Sequence, residues 1–218
     1  MAKIHFKYGA MNSGKSDTLI KTAYNYMENG LDVIIIKPSI DTKGGKFIVT
    51  RSGNKMAINI LPTPNTNIRQ AVKAFAQNTK LKKLSCILID EAQFLTTEQV
   101  DQLYDIAKID KVSVIAYGLR ADFRTELFPG SKRLFEIVDN IEKLPTMCLC
   151  GSQAEFNCRM DNGKFVFEGD QVAIDGDNTT TYRSLCGACY KKEKALNYPK
   201  TQHSVKPIKR ILKEKEGK

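Results

Sequence analysis

No run of apolar residues in this chain approaches the ~18–20 that a helix needs to cross a bilayer, which excludes a helical membrane protein. The amino terminus, Met1 to Tyr8, alternates Lys and His with apolar residues. It lacks the long apolar stretch of a secretory signal and suits a first strand, so the cytoplasm is the expected compartment. Histidine is scarce: His5 falls in that strand and His203 in a basic tail, and neither is expected to act as a catalytic group or ligand. No internal repeat is visible. Apolar residues make up 42% and charged residues 27% of the sequence, which disfavours disordered and collagen-like chains. At 218 residues, two full-sized domains are cramped; one α/β core with a small appended module fits better.

What is abundant is positive charge, +10 overall, but its position matters more than its sum. From Lys191 to Lys218 ten Lys and Arg face three Glu, a net +7, so only +3 is spread over the remaining chain. That is too small an excess to argue for a basic groove. A solvated tail is expected, with no specific nucleic-acid partner.

Ile4 to Tyr8 ends in Gly9, and Leu19, Ile20, Ala23 and Met27 then recur at helical spacing. Val33 to Ile36 is an uninterrupted apolar run, the pattern of a strand buried on both faces of a parallel sheet. Pro38 to Pro64 is rich in Gly, Thr, Ser and Asn, with a short strand at Lys46 to Thr50, and reads as a mobile segment over the site. Residues 66–78 suit a helix, Cys86 to Ile89 a second buried strand, and Thr96 opens a capping pattern with Glu98 and Gln99 before an amphipathic helix. Val112 to Tyr117, Lys132 to Val138 and Asn140 to Leu144 continue as strand, helix and strand. Such alternation implies an α/β fold, a parallel sheet covered by helices on both faces, over residues 1–145. After Pro145 the texture changes to cysteines and turn residues without a helical period. The expected organisation is therefore a nucleotide-binding domain at 1–145, a metal-binding module at 146–192 and a tail at 193–218.

Gly9, Ala10, Met11, Asn12, Ser13, Gly14, Lys15 and Ser16 match G-x-x-x-x-G-K-[ST] in full. Glycines let backbone amides curl around phosphate oxygens, Lys15 neutralises β and γ charge, and Ser16 offers its hydroxyl to Mg²⁺. The flanking strand and helix are the context that makes the match meaningful. The run Cys86 to Ile89 delivers Asp90 and Glu91 to the carboxyl edge of the sheet, where open α/β sheets bind ligands. Asp90 is the candidate for the Mg²⁺ shell. Glu91, turned differently by strand alternation, is the candidate proton acceptor, orienting a water in an ATPase or a hydroxyl in a kinase.

Among six cysteines, Cys186 and Cys189 form a clean C-x-x-C, and Cys148 and Cys150 a tighter C-x-C. Two such pairs can give four thiolates to a structural Zn²⁺, with Cys158 as a reserve ligand. Cys86, inside an apolar strand, reads as a packed core thiol.

From Asp90-Glu91-Ala92-Gln93-Phe94 the chain resembles one family, the type II thymidine kinases, which have a RecA-like P-loop domain and a small zinc-containing lasso domain. The resemblance also takes in the phosphate loop with Met11, the Asp41-Thr42-Lys43 segment, Gly118 to Arg124 with Phe128-Pro129, the cysteine pairs and Tyr182. It implies that ATP with Mg²⁺ phosphorylates the 5′-hydroxyl of thymidine, and of deoxyuridine, with Glu91 as base and Lys15, Ser16 and Asp90 managing phosphates and metal. It also implies Asp41 and Lys43 in a loop beside the phosphates. The thymine pocket it implies draws on Met11, Gln93, Phe94, Leu119, Phe123, Phe128 and Tyr182, with Val172 and Ile174 from a lasso spanning Phe165 to Tyr182. A homotetramer inhibited by dTTP is implied too. Lys43 stands where the family leads one to expect Arg, Arg120 where it leads one to expect Asp, and Ile174 to Tyr182 is longer than expected. Two other readings fit parts of the sequence: a nucleic-acid-stimulated ATPase, and a zinc-ribbon module whose P-loop only senses nucleotide.

Overall fold

The computed structural model describes residues 2–171 and 180–197. Ile4–Tyr8 forms β1, and Lys15–Glu28 forms α1. Asp32–Ile36 is β2, and Phe47–Val49 and Lys55–Ala57 pair as a short antiparallel hairpin, β3 and β4. Ile68–Asn78 is α2 and Leu84–Ile89 is β5. After a 3₁₀ turn at Ala92–Phe94 come α3 (Thr97–Lys108), β6 (Ser113–Gly118), α4 (Pro129–Ile137) and β7 (Asn140–Lys143). Five strands pair in the order β2-β5-β6-β1-β7, and every pairing is parallel.

The pleat sorts this sheet's residues into two cores. Ile34, Ile36, Ile87, Ile89, Val114 and Ala116 pack on one face with side chains of α2, α3 and α4. Val33, Ile35, Cys86, Leu88 and Tyr117 pack on the other with Leu19, Ile20 and Ala23 of α1. Because both faces are covered, β2 and β5 cannot alternate apolar with polar, and each fully buried Ile or Leu stabilises the sheet by about 1.5–3 kcal/mol. Cys86 is fully buried, and burial pushes its thiol up to about 12, as suits an inert core residue. The cap of α3 is a complete box: Thr96 Oγ1 accepts from the Gln99 amide at 3.1 Å and Gln99 Oε1 accepts from the Thr96 amide at 3.2 Å.

The stretch from 38 to 64, expected as a mobile cover, is largely part of the core. Ile48 and Met56 of the hairpin are buried against the α1 face. Asn59 and Ile60 run beside β2, exchanging backbone hydrogen bonds with Ile35 and Lys37. These residues satisfy an edge strand that would otherwise leave its polar groups open.

Beyond residue 145 the chain builds a second, smaller sheet from β8 (Phe156–Asp161), β9 (Lys164–Val166) and β10 (Thr180–Leu185), antiparallel in the order β10-β8-β9. It ends in a helix that the sequence pattern did not announce, α5 (Gly187–Asn197). Tyr190 is its only buried residue, so no apolar period marks it. This helix continues past residue 192 into the stretch expected as tail. His203 and residues 198–218 lie outside the described residues. Among those described, no helix is long and apolar enough to cross a membrane.

Candidate active site

The loop between β1 and α1 is shaped by contacts only glycine allows at two points. A Cβ on Gly9 would lie 2.3 Å from Ser13 Oγ and 2.7 Å from the Leu144 carbonyl, and Gly14 caps α1 at φ 73°. Lys15, 8% exposed, turns its ammonium into this loop, donating to the Ala10 carbonyl at 2.9 Å and the Gly9 carbonyl at 3.3 Å. Burial lowers its pKa, and the charges of Glu91 and Asp90 pull it back up. Those contacts set the ammonium between the loop and the acid pair.

Asp90 follows β5 and is 3% exposed. Ser16 Oγ donates to its carboxylate at 3.1 and 3.3 Å, bringing the two residues expected to share Mg²⁺ together. Burial raises the Asp90 pKa, the neighbouring Glu91 charge raises it further, and the Ser16 bond and the Lys37 charge oppose the rise. Strand β6 separates β5 from β1, the spacing by which the acid pair and the phosphate loop meet at the carboxyl edge of the sheet.

Glu91 diverges from Asp90, but not through strand alternation. The strand ends at Ile89, and Glu91 adopts the left-handed region at φ 51° as it enters the 3₁₀ turn. Its carboxylate accepts a hydrogen bond from Gln93 Nε2 at 2.5 Å, while Gln93 Oε1 accepts from the buried Leu119 amide at 3.0 Å. The backbone donor at Leu119 requires an oxygen opposite it, and that sets the Gln93 amide with its nitrogen toward Glu91.

Beside Glu91 opens a cavity of about 460 Å³, within the range of small-molecule sites. Met11, Gln93, Phe94, Leu119, Phe123 and Phe128 all line it, and so does Tyr182 of β10. Phe94 and Phe128 meet edge to face at 5.7 Å. Phe123, Phe128 and Leu119 are also buried, so they serve the core and the cavity together. Asp41 and Lys43 lie on the lining as well, as does Gln171, where the described chain stops short of Val172 and Ile174. Those two expected contacts lie outside the described residues. Arg120 stacks its guanidinium on Phe156 of the small module, 5.8 Å from the ring centroid.

Sequence reasoning overlooked the polar residues that bind the small module to the phosphate loop. Asn157 Oδ1 accepts from the Met11 amide at 2.8 Å and its Nδ2 donates to the Ala121 carbonyl at 3.0 Å. Ser184 Oγ donates to the Met11 carbonyl at 2.6 Å. An Asn and a Ser in antiparallel strands carry no local signal of such long-range contacts. Lys37, 2% exposed, was overlooked for the same reason.

The four expected zinc ligands converge: the sulfurs of Cys148, Cys150, Cys186 and Cys189 all lie within 4.8 Å of one another, and those of Cys150 and Cys186 are 3.6 Å apart. A tetrahedral zinc with bonds of about 2.3 Å sets its sulfurs about 3.8 Å apart, so the set fits a structural zinc. The Cys189 amide already points at Cys186 Sγ at 3.5 Å. Hydrogen bonds led by Ser152 bring Cys150 down to about 6, while bonds to the neighbouring thiols raise Cys189 to about 12. Thiols this close cannot all ionise without a cation, and zinc removes that conflict. Cys158 lies beside the cluster in the small core, and burial pushes its thiol up to about 12.

A fold and a site of this kind define a class, the P-loop phosphotransferases, which pass a phosphoryl group to an acceptor held beside the nucleotide. Comparison with known proteins narrows it. The thymidine kinase family profile matches residues 2–190. The thymidine kinase of Legionella pneumophila strain Lens is 44% identical over 200 residues, covering 89% of this chain and 92% of the relative. Those of Haemophilus influenzae strain Rd and Pasteurella multocida strain Pm70 are 39% and 40% identical, covering 88% and 90% of this chain and 98% and 100% of the relatives. The chain belongs to the thymidine kinase family and is an ATP-dependent phosphotransferase.

Proposed function

We propose that the protein transfers the γ-phosphate of ATP to the 5′-hydroxyl of thymidine, and of deoxyuridine, yielding the nucleoside monophosphate and ADP. The observation that carries this reading is the position of Glu91, on the lining of a nucleoside-sized cavity and one residue from an aspartate bonded to the phosphate loop. Backbone amides of Gly9 to Ser16 cradle the phosphates, and Lys15 offsets their β and γ charge. Ser16 and Asp90 would hold Mg²⁺, which when bound bridges phosphate oxygens and neutralises their charge. Glu91 accepts the 5′-hydroxyl proton as that oxygen bonds to the γ-phosphorus and the bond to the ADP oxygen breaks. Met11, Leu119, Phe123 and the Phe94–Phe128 pair flank the thymine, with Tyr182, Val172 and Ile174 closing on it and Asp41 and Lys43 beside the phosphates. The zinc, held by four protein thiolates, has no open position and takes no part in the reaction.

Gln93 contributes to this cavity chiefly through Glu91, because both ends of its amide are engaged within the protein. Gln93→Met should cost about 1–3 kcal/mol in urea unfolding, through the orphaned Leu119 amide, and lower kcat about tenfold. We further propose that Met1 to Pro145 supplies the nucleotide site, that residues 146–192 supply the zinc-bound lasso, and that the basic tail has no specific nucleic-acid partner. A homotetramer inhibited by dTTP belongs to the same proposal.

The test offers γ-labelled ATP and Mg²⁺ with each natural nucleoside in turn. Label should appear on thymidine and deoxyuridine alone, and adding DNA or RNA should not raise ATP consumption. Polynucleotide-dependent hydrolysis without nucleoside labelling would overturn the reading.

A further inference from the structure

An ammonium removed from water needs both a counter-charge and hydrogen bonds, and breaking such a pair is strongly unfavourable. Lys37, the residue after β2, is 2% exposed and obtains both from one short stretch of chain. Its Nζ lies 3.0 Å from Asp41 Oδ2 and donates to the backbone carbonyl of Lys43. The other oxygen of Asp41 accepts from the Lys43 amide at 3.1 Å. Ammonium, carboxylate and the backbone of Lys43 thus close a ring. Its anchor is firm, since the Lys37 amide donates to the Ile60 carbonyl at 3.1 Å and β2 is buried.

The segment closed by this ring lies on the lining of the large cavity, where Ile40, Asp41, Thr42 and Lys43 contribute. No helix or strand covers residues 38–45. Turn bonds from the Asp41 amide to Pro38 and from the Gly45 amide to Thr42 are its other backbone ties, at 3.2 and 3.1 Å. Exposed turns of this kind ordinarily sample many conformations, and a substrate that must order them loses affinity.

We propose that Lys37 is a positioning residue, an internal cation that pins residues 40–43 as a preformed wall of the acceptor cavity. The inference rests on the reading of that cavity as the nucleoside site. It assigns Lys37 an effect on nucleoside binding rather than on the chemical step, since its ammonium is engaged by Asp41 and Lys43. A lysine that served only to stabilise the fold would lower the melting temperature and the active fraction, leaving the KM of the folded enzyme unchanged.

The experiment compares wild type, Lys37→Met and Lys37→Arg for thymidine KM, ATP KM and kcat, with Lys37→Gln replacing the Met variant if that does not fold. Loss of the pin should raise thymidine KM about tenfold while kcat and ATP KM stay within about threefold, the signature of lost binding that ground state and transition state share. Lys37→Arg keeps the Asp41 pair and should recover most of the change. An unchanged thymidine KM in the neutral variant overturns the proposal. Trypsin cleavage after the exposed Lys43 reads the pin without substrate: it should quicken at least about tenfold in Lys37→Met and return toward wild type in Lys37→Arg. A wild type that phosphorylates no nucleoside while cleavage still responds would sink the nucleoside reading and keep the pin; cleavage that does not respond would sink the pin.

Discussion

Glu91→Gln should lower kcat for thymidine phosphorylation by about 10²–10⁴-fold, the usual contribution of a positioned general base. The two side chains are nearly isosteric, so the left-handed turn at residue 91 and the packing of the 3₁₀ turn after it survive. What disappears is the carboxylate on the cavity lining and the charge-assisted bond from Gln93 Nε2. ATP contacts are made elsewhere, by the phosphate loop, Lys15, Ser16 and Asp90, so nucleotide affinity should change by less than about threefold. Zinc content should not change at all. Label transfer measured beside equilibrium binding of a non-hydrolysable ATP analogue separates these effects. A variant that keeps a tenth or more of wild-type turnover would remove Glu91 from the role of base. Equal loss of ATP binding would mean that the substitution had disturbed the phosphate site instead.

Residues whose environment is created by their immediate neighbours could be read in advance. Val33 to Ile36 and Cys86 to Ile89 are apolar throughout because both faces of their strands are covered, and the acid after the second run lies where a sheet edge puts it. The phosphate loop is equally local, since its amides, lysine and serine act within eight consecutive residues. The four cysteines were legible as two pairs, but the choice between Cys148 and Cys158 needed the fold, which gathers the first and leaves the second in the small core.

What escaped is non-local. Lys37 looks like a surface charge at the end of a strand until Asp41 folds back on it. Asn157 and Ser184 lie 146 and 173 residues from the Met11 backbone they hold. The hairpin that buries Ile48 and Met56 has too few apolar residues for a period, and α5 has a single buried contact, Tyr190. In Glu91 the expected divergence from Asp90 is present, but a turn that begins one residue after the strand produces it.

Those long contacts connect the metal cluster to the nucleotide. The core of the small module consists of seven buried residues, three of them cysteines, so apolar burial alone gives it little stability. Zinc binding to such sites is worth about 10–16 kcal/mol at neutral pH in isolated zinc modules, which makes the metal the main term holding this module together. The module in turn holds Met11 from both sides through Asn157 and Ser184. Cys186→Ser should therefore abolish stoichiometric zinc and lower the melting temperature. It should also reduce kcat/KM for thymidine by about 10²-fold or more, because a loop misplaced by about 1 Å can cost that much. Cys158→Ala provides the contrast: it opens a small cavity beside the cluster, costs roughly 1–2 kcal/mol, and should leave zinc content and kcat/KM near wild type. Metal analysis, thermal melts and steady-state kinetics on the same preparations distinguish the outcomes. Should the zinc-free Cys186→Ser protein keep wild-type kcat/KM, the module would be shown to fold without metal and its hold on Met11 to be dispensable.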